Sequence, residues 1–339
     1  MSNTFLTFLI ITYKRPVKVK RLLDQFLNSA WEEIYNLNLE IIVADDNSND
    51  ETASTIQPTI LLLRELGWNI KYLNRDINLR GDLNLYKGIV DDSNGEYTWL
   101  LCDDDCLNIS ESIDFIKAIF KHRPIVAICG FKQGNLTQYT NSLGDKLSIS
   151  YDFEESVKLL SHYPKTSTYV FKRRLEDLNY EYFKRWDGTL FAWIGLGIYM
   201  AGKNIKDGVL AYPKLTVFAD EDYGVLRYSY RVFKNLRLVI QDSIQLLGYD
   251  INTFKNNSNL LVQEDEFALN ILGLQAHYSL KSDIKYSDSI LLEETLFFKL
   301  NFLKIFFKKK RFVLALKLLF VRIVRLFLLF DKFKIDKNK

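Results

Sequence analysis

The chain of 339 residues is 48% hydrophobic, 14% aromatic and 26% charged, the make-up of a folded protein with a sizeable core rather than a disordered one. Three cysteines and three widely spaced histidines exclude a disulfide framework and leave few candidates for a histidine metal site or a Ser–His–Asp triad, so any metal has to be held by carboxylates. The net charge of +3 hides an asymmetry: residues 296–339 carry +11, and the rest of the chain carries −8. A basic tail on a mildly acidic body calls for an anionic partner, either a bilayer or a nucleic acid.

The first apolar run, Phe5–Ile11, reads as a buried strand. It has no basic segment before it and no small-residue cleavage site after it, so no secretory signal is expected. A helical pattern follows through Val19, Leu22, Leu23, Phe26 and Leu27. A strand at Leu39–Ala44 ends in the polar cluster Asp45-Asp-Asn-Ser-Asn-Asp50. Next come a helix from Glu51 to Leu66, a strand at Asn69–Leu73 and a helix at Asp82–Val90. The strand Tyr97–Cys102 then ends in Asp103-Asp104-Asp105. This alternation predicts a mostly parallel sheet with helices on both faces. Ligands of such sheets bind beyond the carboxyl ends of the strands, so the acidic turns at Asp45 and Asp103 are expected to face one crevice.

A helix from Ser110 to His122, a strand at Ile125–Phe131, a polar loop to Ser150 and a helix from Asp152 continue the pattern. A strand at Thr168–Lys172, an aromatic segment at Tyr180–Tyr199 and a last short strand at Pro213–Phe218 complete it. Beyond Val225 the signals are helical, which divides the chain into residues 1–225 and a C-terminal helical region, 226–339.

Asp103-Asp104-Asp105 is the sharpest local feature. Three carboxylates directly after a buried run have to meet water, a cation or a ligand. Alternate carboxylates on an extended turn suit Mg²⁺ or Mn²⁺, with positions left for a diphosphate. Asp105 or Ser110 could instead cap the following helix. Asp45, at the very end of its strand, is placed to hydrogen-bond a base edge. Asp50 and Thr52 suffice to cap the helix beyond it. Tyr13 and Arg15, just past the first strand, can stack on a base and pair with phosphate, or simply form an exposed turn before Pro16. Cys102 and Cys106 read as buried thiols, since two further ligands for a zinc site are not evident nearby.

Three segments in order, Ile11-Thr12-Tyr13-Lys14-Arg15-Pro16, Val43-Ala44-Asp45-Asp46-Asn47-Ser48-Asn49-Asp50 and Gly95-Glu96-Tyr97-Thr98-Trp99-Leu100-Leu101-Cys102-Asp103-Asp104-Asp105, resemble family 2 glycosyltransferases. The resemblance covers roughly residues 3–225 and is to their nucleotide-sugar-binding half, the GT-A fold. Asn78-Leu-Arg80-Gly-Asp82 is similar to the stretch after the third strand of these enzymes, although the usual glycine falls on Arg80. Thr168-Tyr-Val-Phe-Lys-Arg173 and Trp186-Asp187-Gly188-Thr189 look most like the abequosyltransferase-type branch that builds bacterial O-antigens.

The resemblance implies an inverting, metal-dependent transferase using a nucleotide-sugar donor, UDP-type favoured, and a lipid-linked glycan acceptor. Thr12, Tyr13 and Arg15 would line the base and phosphate side, with Asn78, Arg80 and Asp82 also on the donor. Asp45 would bind the base N–H, Asp103 and Asp104 would approach ribose and sugar, and Asp105 would hold Mn²⁺ or Mg²⁺. The Glu-Asp dipeptide that supplies the general base in many members is missing between Lys184 and Gly202. Asp187 is the only acid there and the leading candidate, and otherwise the N-cap of the next helix. Asp220, Glu221 and Asp222 are the alternatives. Trp186 and Trp193 are candidates for stacking on sugars, or core aromatics.

The segment 312–330 is apolar apart from Lys317, Arg322 and Arg325, and three cations at roughly 2.5–3.5 kcal/mol each argue against a membrane-spanning helix. A helical wheel gathers Ile305, Phe312, Leu316, Phe320, Ile323 and Phe327 into one stripe, with Lys304, Lys308, Arg311 and Arg322 opposite. The region of about 296–335 therefore reads as an amphipathic helix on an anionic membrane surface, at the cytoplasmic face, or else as a helix docked on the acidic body. With an acidic body and no groove-reading motif, nucleic acid is not expected as a partner. A dinucleotide-dependent oxidoreductase is excluded by Thr12-Tyr-Lys-Arg-Pro16 where a Gly-x-Gly-x-x-Gly turn is needed. A non-catalytic, GT-A-like nucleotide-binding or scaffold protein at the membrane stays open as the alternative.

Overall fold

The structure, a computed structural model, describes residues 4–133, 137–139, 146–162, 165–219 and 230–250. Along the first half run β1 (Leu6–Thr12), α1 (Pro16–Asp24), β2 (Leu39–Asp45), α2 (Thr52–Glu65), β3 (Asn69–Asn74), α3 (Gly81–Lys87), β4 (Tyr97–Cys102), β5 (Asp105–Leu107) and α4 (Ile109–His122). Then come β6 (Val126–Gln133), β7 (Thr137–Tyr139), β8 (Ser148–Ser150), α5 (Phe153–His162), β9 (Tyr169–Lys172), α6 (Tyr180–Lys184), α7 (Ala192–Lys203), β10 (Val209–Ala219) and α8 (Tyr230–Leu246).

β1 pairs in parallel with β2 on one side and β4 on the other, and β3 continues the sheet beyond β2. Both faces of β1 are covered, which is why Phe5–Ile11 is apolar apart from Thr7. The strand order is β3-β2-β1-β4-β9-β6-β10-β5, with β7 beside β6 and β8 beside β10. Along that path β9 and β5 run against their neighbours and the other strands run together, giving the mostly parallel sheet of the expected α/β class. Insertion of the reversed β9 between β4 and β6 is not visible in the strand–helix alternation. β10 is longer than the predicted Pro213–Phe218. Its register against β6 shifts between Tyr212 and Leu215, so Pro213 sits in an irregularity where no ladder N–H is required.

Phe8 of β1 anchors the core on one face, its ring 4.9–6.3 Å from those of Phe26, Trp31, Trp68 and Trp99. On the other face Leu9 lies so close to Gly88 that a Cβ there would be 2.5 Å from a Leu9 methyl. Residues 235–250 belong to the same compact unit as the sheet, with Tyr249 stacked on Phe153 at 4.6 Å.

The amino end of the sheet is closed by Glu40, which has no exposed surface. Its carboxylate accepts from Thr7 Oγ1 at 2.8 Å, Lys71 Nζ at 2.8 Å, Asn94 N at 3.0 Å and Asn94 Nδ2 at 2.8 Å. Burial pushes this carboxyl up, but the bonds from Lys71, Asn94 and Thr7 outweigh it and leave it below its ordinary value of 4.5. Its stabilising contribution is complete above that ordinary value and is lost as pH falls through the lower folded value. Glu40→Gln should therefore cost about 3 kcal/mol at neutral pH, since it leaves the partners of a buried charge uncompensated. Urea unfolding followed from pH 7 to pH 3 should show the wild type losing its advantage over the variant; a pH-independent gap would contradict this account.

Asp220, Glu221, Asp222 and the amphipathic tail of about 296–335 lie outside the described residues. No helix among the described residues is long and apolar enough to cross a membrane.

Candidate active site

The parallel register sets Thr12 beside Asp45 and Ile11 beside Cys102, so the two acidic turns flank the end of β1. Thr12 Oγ1 donates to Asp103 Oδ2 at 2.7 Å. Arg15 donates to Asp103 at 3.1 Å and to Asp104 at 3.0 Å, and Arg21 donates to the Asp104 carbonyl at 2.8 Å. Asp103 is buried; burial pushes its carboxyl up, and the Thr12 hydroxyl and the Arg15 guanidinium oppose the shift. Tyr13, by contrast, is exposed, with Lys14 Nζ over its ring at 5.3 Å. The structure thus brings Thr12, Arg15, Asp103 and Asp104 together and leaves the Tyr13 ring available to a planar ligand.

Asp45 is buried, and more engaged than its expected reach toward a base edge implies. It accepts from Ser48 N at 3.0 Å, from the Ser48 hydroxyl, and from Tyr72 Oη at 2.6 Å. Ser48 Oγ in turn accepts from Lys14 N at 2.8 Å, tying this loop to the end of β1. Burial and the bond to Asp45 push the Tyr72 phenol well up, so it stays a donor. Asp46 receives Leu79 N at 2.6 Å and Asn78 Oδ1 receives Arg80 N at 3.0 Å, both on the loop before α3. That loop ends at Arg80 with φ 66° and ψ 165°, backbone space that is normally glycine's. The turn at the position where the resemblance leads one to expect glycine is made by Arg80 itself, at a strain of about 1–3 kcal/mol, and the guanidinium is left exposed.

Asp105 departs from expectation. It is not on a solvated turn and does not cap a helix: it starts β5, has no exposed surface, and pairs with Lys165 Nζ at 2.8 Å. Its other oxygen accepts from the Ser167 hydroxyl, whose oxygen accepts from Cys102 N at 2.9 Å. Burial disfavours the Lys165 ammonium, but Asp105 outweighs it and holds the proton in place. Cys102 Sγ and one oxygen each from Asp104 and Asp105 lie within 4.8 Å of one another. Burial pushes the Cys102 thiol up to about 12, so the anionic donors there are the two carboxylates. Cys102 and Cys106 are both half-buried rather than buried.

Asp187 lies on the turn before α7. It does not cap that helix, which starts only at Ala192. Its Oδ2 is 3.4 Å from Arg80 and its Oδ1 is buried without a hydrogen-bond partner. Asp82 of α3 fixes the turn by accepting Leu190 N at 3.0 Å, and Leu190 adopts φ 68°, a strained value for a branched-chain residue. Burial pushes the Asp82 carboxyl from 3.8 up to about 6, so the folded state loses stability as pH rises through that window. From the other side, Asp242 of α8 accepts Trp186 Nε1 at 2.9 Å, and Asn235 donates to the Thr189 carbonyl at 3.4 Å. Trp186 and Trp193 are buried, so neither offers a face to a sugar.

Residues 7–177 match the Glycosyl transferase family 2 sequence model, half of the chain. The chain belongs to glycosyltransferase family 2. Among its relatives, abequosyltransferase RfbV of Salmonella typhimurium is 27% identical over 128 residues, 38% of this chain and 36% of the relative. A GalNAc(5)-diNAcBac-PP-undecaprenol beta-1,3-glucosyltransferase of Campylobacter jejuni is 29% identical over 200 residues, 56% of this chain and 59% of the relative. The matched segments thus span less than two thirds of either curated relative. A mannosyltransferase of Pyrobaculum calidifontis, solved with GDP-Man and Mn²⁺, superposes with a TM-score of 0.51 at 14% identity over 95% of this chain and 86% of its own. That likeness concerns the fold, which is the GT-A fold of the family.

Four residues that the sequence does not single out shape this candidate site: Tyr72, Lys165, Ser167 and Asp242. Each acts on a partner 27 to 65 positions away in the chain, and no local motif marks such pairings.

Proposed function

We propose that the chain transfers a sugar from a nucleotide-sugar donor, UDP-type favoured, to a hydroxyl of a lipid-linked glycan, with inversion at the anomeric carbon. The observation that carries this reading is the convergence of Thr12, Arg15, Asp103 and Asp104 at the carboxyl ends of β1 and β4, in a chain of glycosyltransferase family 2. Tyr13 stacks on the base and Arg15 takes a phosphate. Asp45 receives the base N–H on lone pairs that Ser48 and Tyr72 leave over. Asp103 and Asp104 approach ribose and sugar, while Asn78, Arg80 and Asp82 shape the loop over the donor. Asp187 removes the proton from the attacking acceptor hydroxyl. The residues given these roles all lie within 1–225, with Asp242 and Asn235 bracing the Asp187 turn from beyond it.

The Asp104 and Asp105 carboxylates fit a hard divalent cation, Mn²⁺ or Mg²⁺, in donor type, and such an ion would take the place of the Lys165 charge at Asp105. When bound, such an ion neutralises the charge that grows on the leaving nucleoside diphosphate. Calorimetry with UDP and with GDP tests the donor assignment. UDP should bind, and more tightly with Mn²⁺ present; no binding of either nucleotide would refute the reading.

The acceptor class follows the name of the Campylobacter relative, an undecaprenol-linked glycan. The +11 tail would hold the enzyme at the inner face of the cell membrane, where such an acceptor is reached. Full-length protein should sediment with anionic vesicles more than with neutral ones and release as salt rises, because the attraction is screened over about 8 Å at physiological ionic strength. Equal binding to both kinds of vesicle would refute the tail's role.

A further inference from the structure

Lys165 directs its charge at the carboxylate expected to hold the cation. Its Nζ lies 2.8 Å from Asp105, and 22% of its side chain reaches solvent while Asp105 has none exposed. The backbone of Lys165 is pinned, since its carbonyl accepts Thr168 N at 3.1 Å and Thr168 Oγ1 at 2.7 Å. The ammonium itself sits on four rotatable bonds. The other oxygen of Asp105 accepts from Ser167, so a cation approaching this fully buried carboxylate competes with Lys165 for it. Two like charges on one fully buried carboxylate, with Arg15 already against Asp103 and Asp104, would repel.

We infer that Lys165 is the resident counter-ion of the cation position. It holds Asp105 in the free protein and leaves it only when a nucleoside diphosphate arrives to take its charge, so the metal and the nucleotide bind as a pair. The inference rests on the reading of the site as one for a nucleoside diphosphate. It follows that the free enzyme discriminates against metal alone, and that the diphosphate, moving into the same crevice, exchanges one buried ion pair for two. By linkage, whatever factor UDP adds to Mn²⁺ affinity, Mn²⁺ adds to UDP affinity.

The test is Mn²⁺ binding by the full chain, followed by electron paramagnetic resonance without nucleotide, together with UDP binding by calorimetry with and without Mn²⁺. Wild-type protein should bind Mn²⁺ alone weakly, and UDP affinity should rise at least about tenfold when Mn²⁺ is added. Lys165→Met should bind Mn²⁺ alone about tenfold or more tighter than wild type, with the mutual enhancement reduced. Lys165→Arg, which keeps the charge, should behave as wild type. If UDP binds but Mn²⁺ alone binds wild type as tightly as it does with UDP, or as tightly as it binds Lys165→Met, the counter-ion role is wrong and the donor site stands. If neither UDP nor GDP binds under any condition, the donor reading falls and this inference with it. The wild-type measurements decide the matter even if Lys165→Met does not fold.

Discussion

Asp187→Asn should lower sugar transfer by about 10²-fold or more and leave donor affinity nearly unchanged, the pattern of a missing general base. Asp187 is set on a turn fixed from two sides, by Asp82 through Leu190 and by α8 through Trp186 and Thr189. One of its oxygens faces an exposed arginine and the other has no hydrogen-bond partner, which leaves a carboxylate able to accept a proton. Asn has the same shape, and none of the bonds that fix the turn passes through the Asp187 side chain, so the local structure should survive. Turnover would be measured as nucleoside diphosphate released at saturating donor, with donor affinity taken separately by calorimetry. Normal turnover in the variant would send the role to Asp220, Glu221 or Asp222.

Asp105→Asn should be costly twice over. The variant leaves the Lys165 ammonium in a buried place without its counter-charge, and breaking one side of such a pair typically costs about 3–5 kcal/mol. Because 22% of the lysine side chain is exposed, the lower end of that range is expected. Lys165→Met added to Asp105→Asn should recover most of the lost stability, since both charges are then gone. The double variant should still show no Mn²⁺-dependent gain in UDP affinity, because a full ligand charge remains missing. Chemical unfolding of the two variants and wild type separates the stability effect from the binding effect. A single variant as stable as wild type would mean that Lys165 and Asp105 do not depend on each other.

Much of this was legible in the sequence because it is local. β4 occupies the predicted Tyr97–Cys102, β2 and β3 each extend one residue past the predicted end, and β1 is shifted by one residue from the predicted Phe5–Ile11. Mostly apolar runs bounded by polar clusters leave little choice of boundary. The convergence of the Asp45 and Asp103 turns followed from the parallel topology alone. What stayed hidden depends on distant partners. Asp105 looks like a third exposed carboxylate until β5 pairs with β10 and carries it inward, against a lysine 60 positions later. Asp187 looks like a helix cap until Asp82 and Asp242 are seen to shape a separate turn. Arg80 looks like a break in a glycine turn, yet Asp46 and Asn78 bind the backbone there and the chain bears the strain. In each case polar contacts between elements decided the outcome over local propensity.

The most direct test is phosphorus NMR of UDP-sugars and GDP-sugars incubated with full-length protein, Mg²⁺ and lipid-linked glycan acceptors. The account predicts that a nucleoside diphosphate appears from at least one donor with wild type, faster when acceptor is present, and falls by about 10²-fold or more with Asp187→Asn. Donors that bind yet yield no diphosphate with any acceptor would contradict the account and identify the chain as a nucleotide-binding protein without transferase activity.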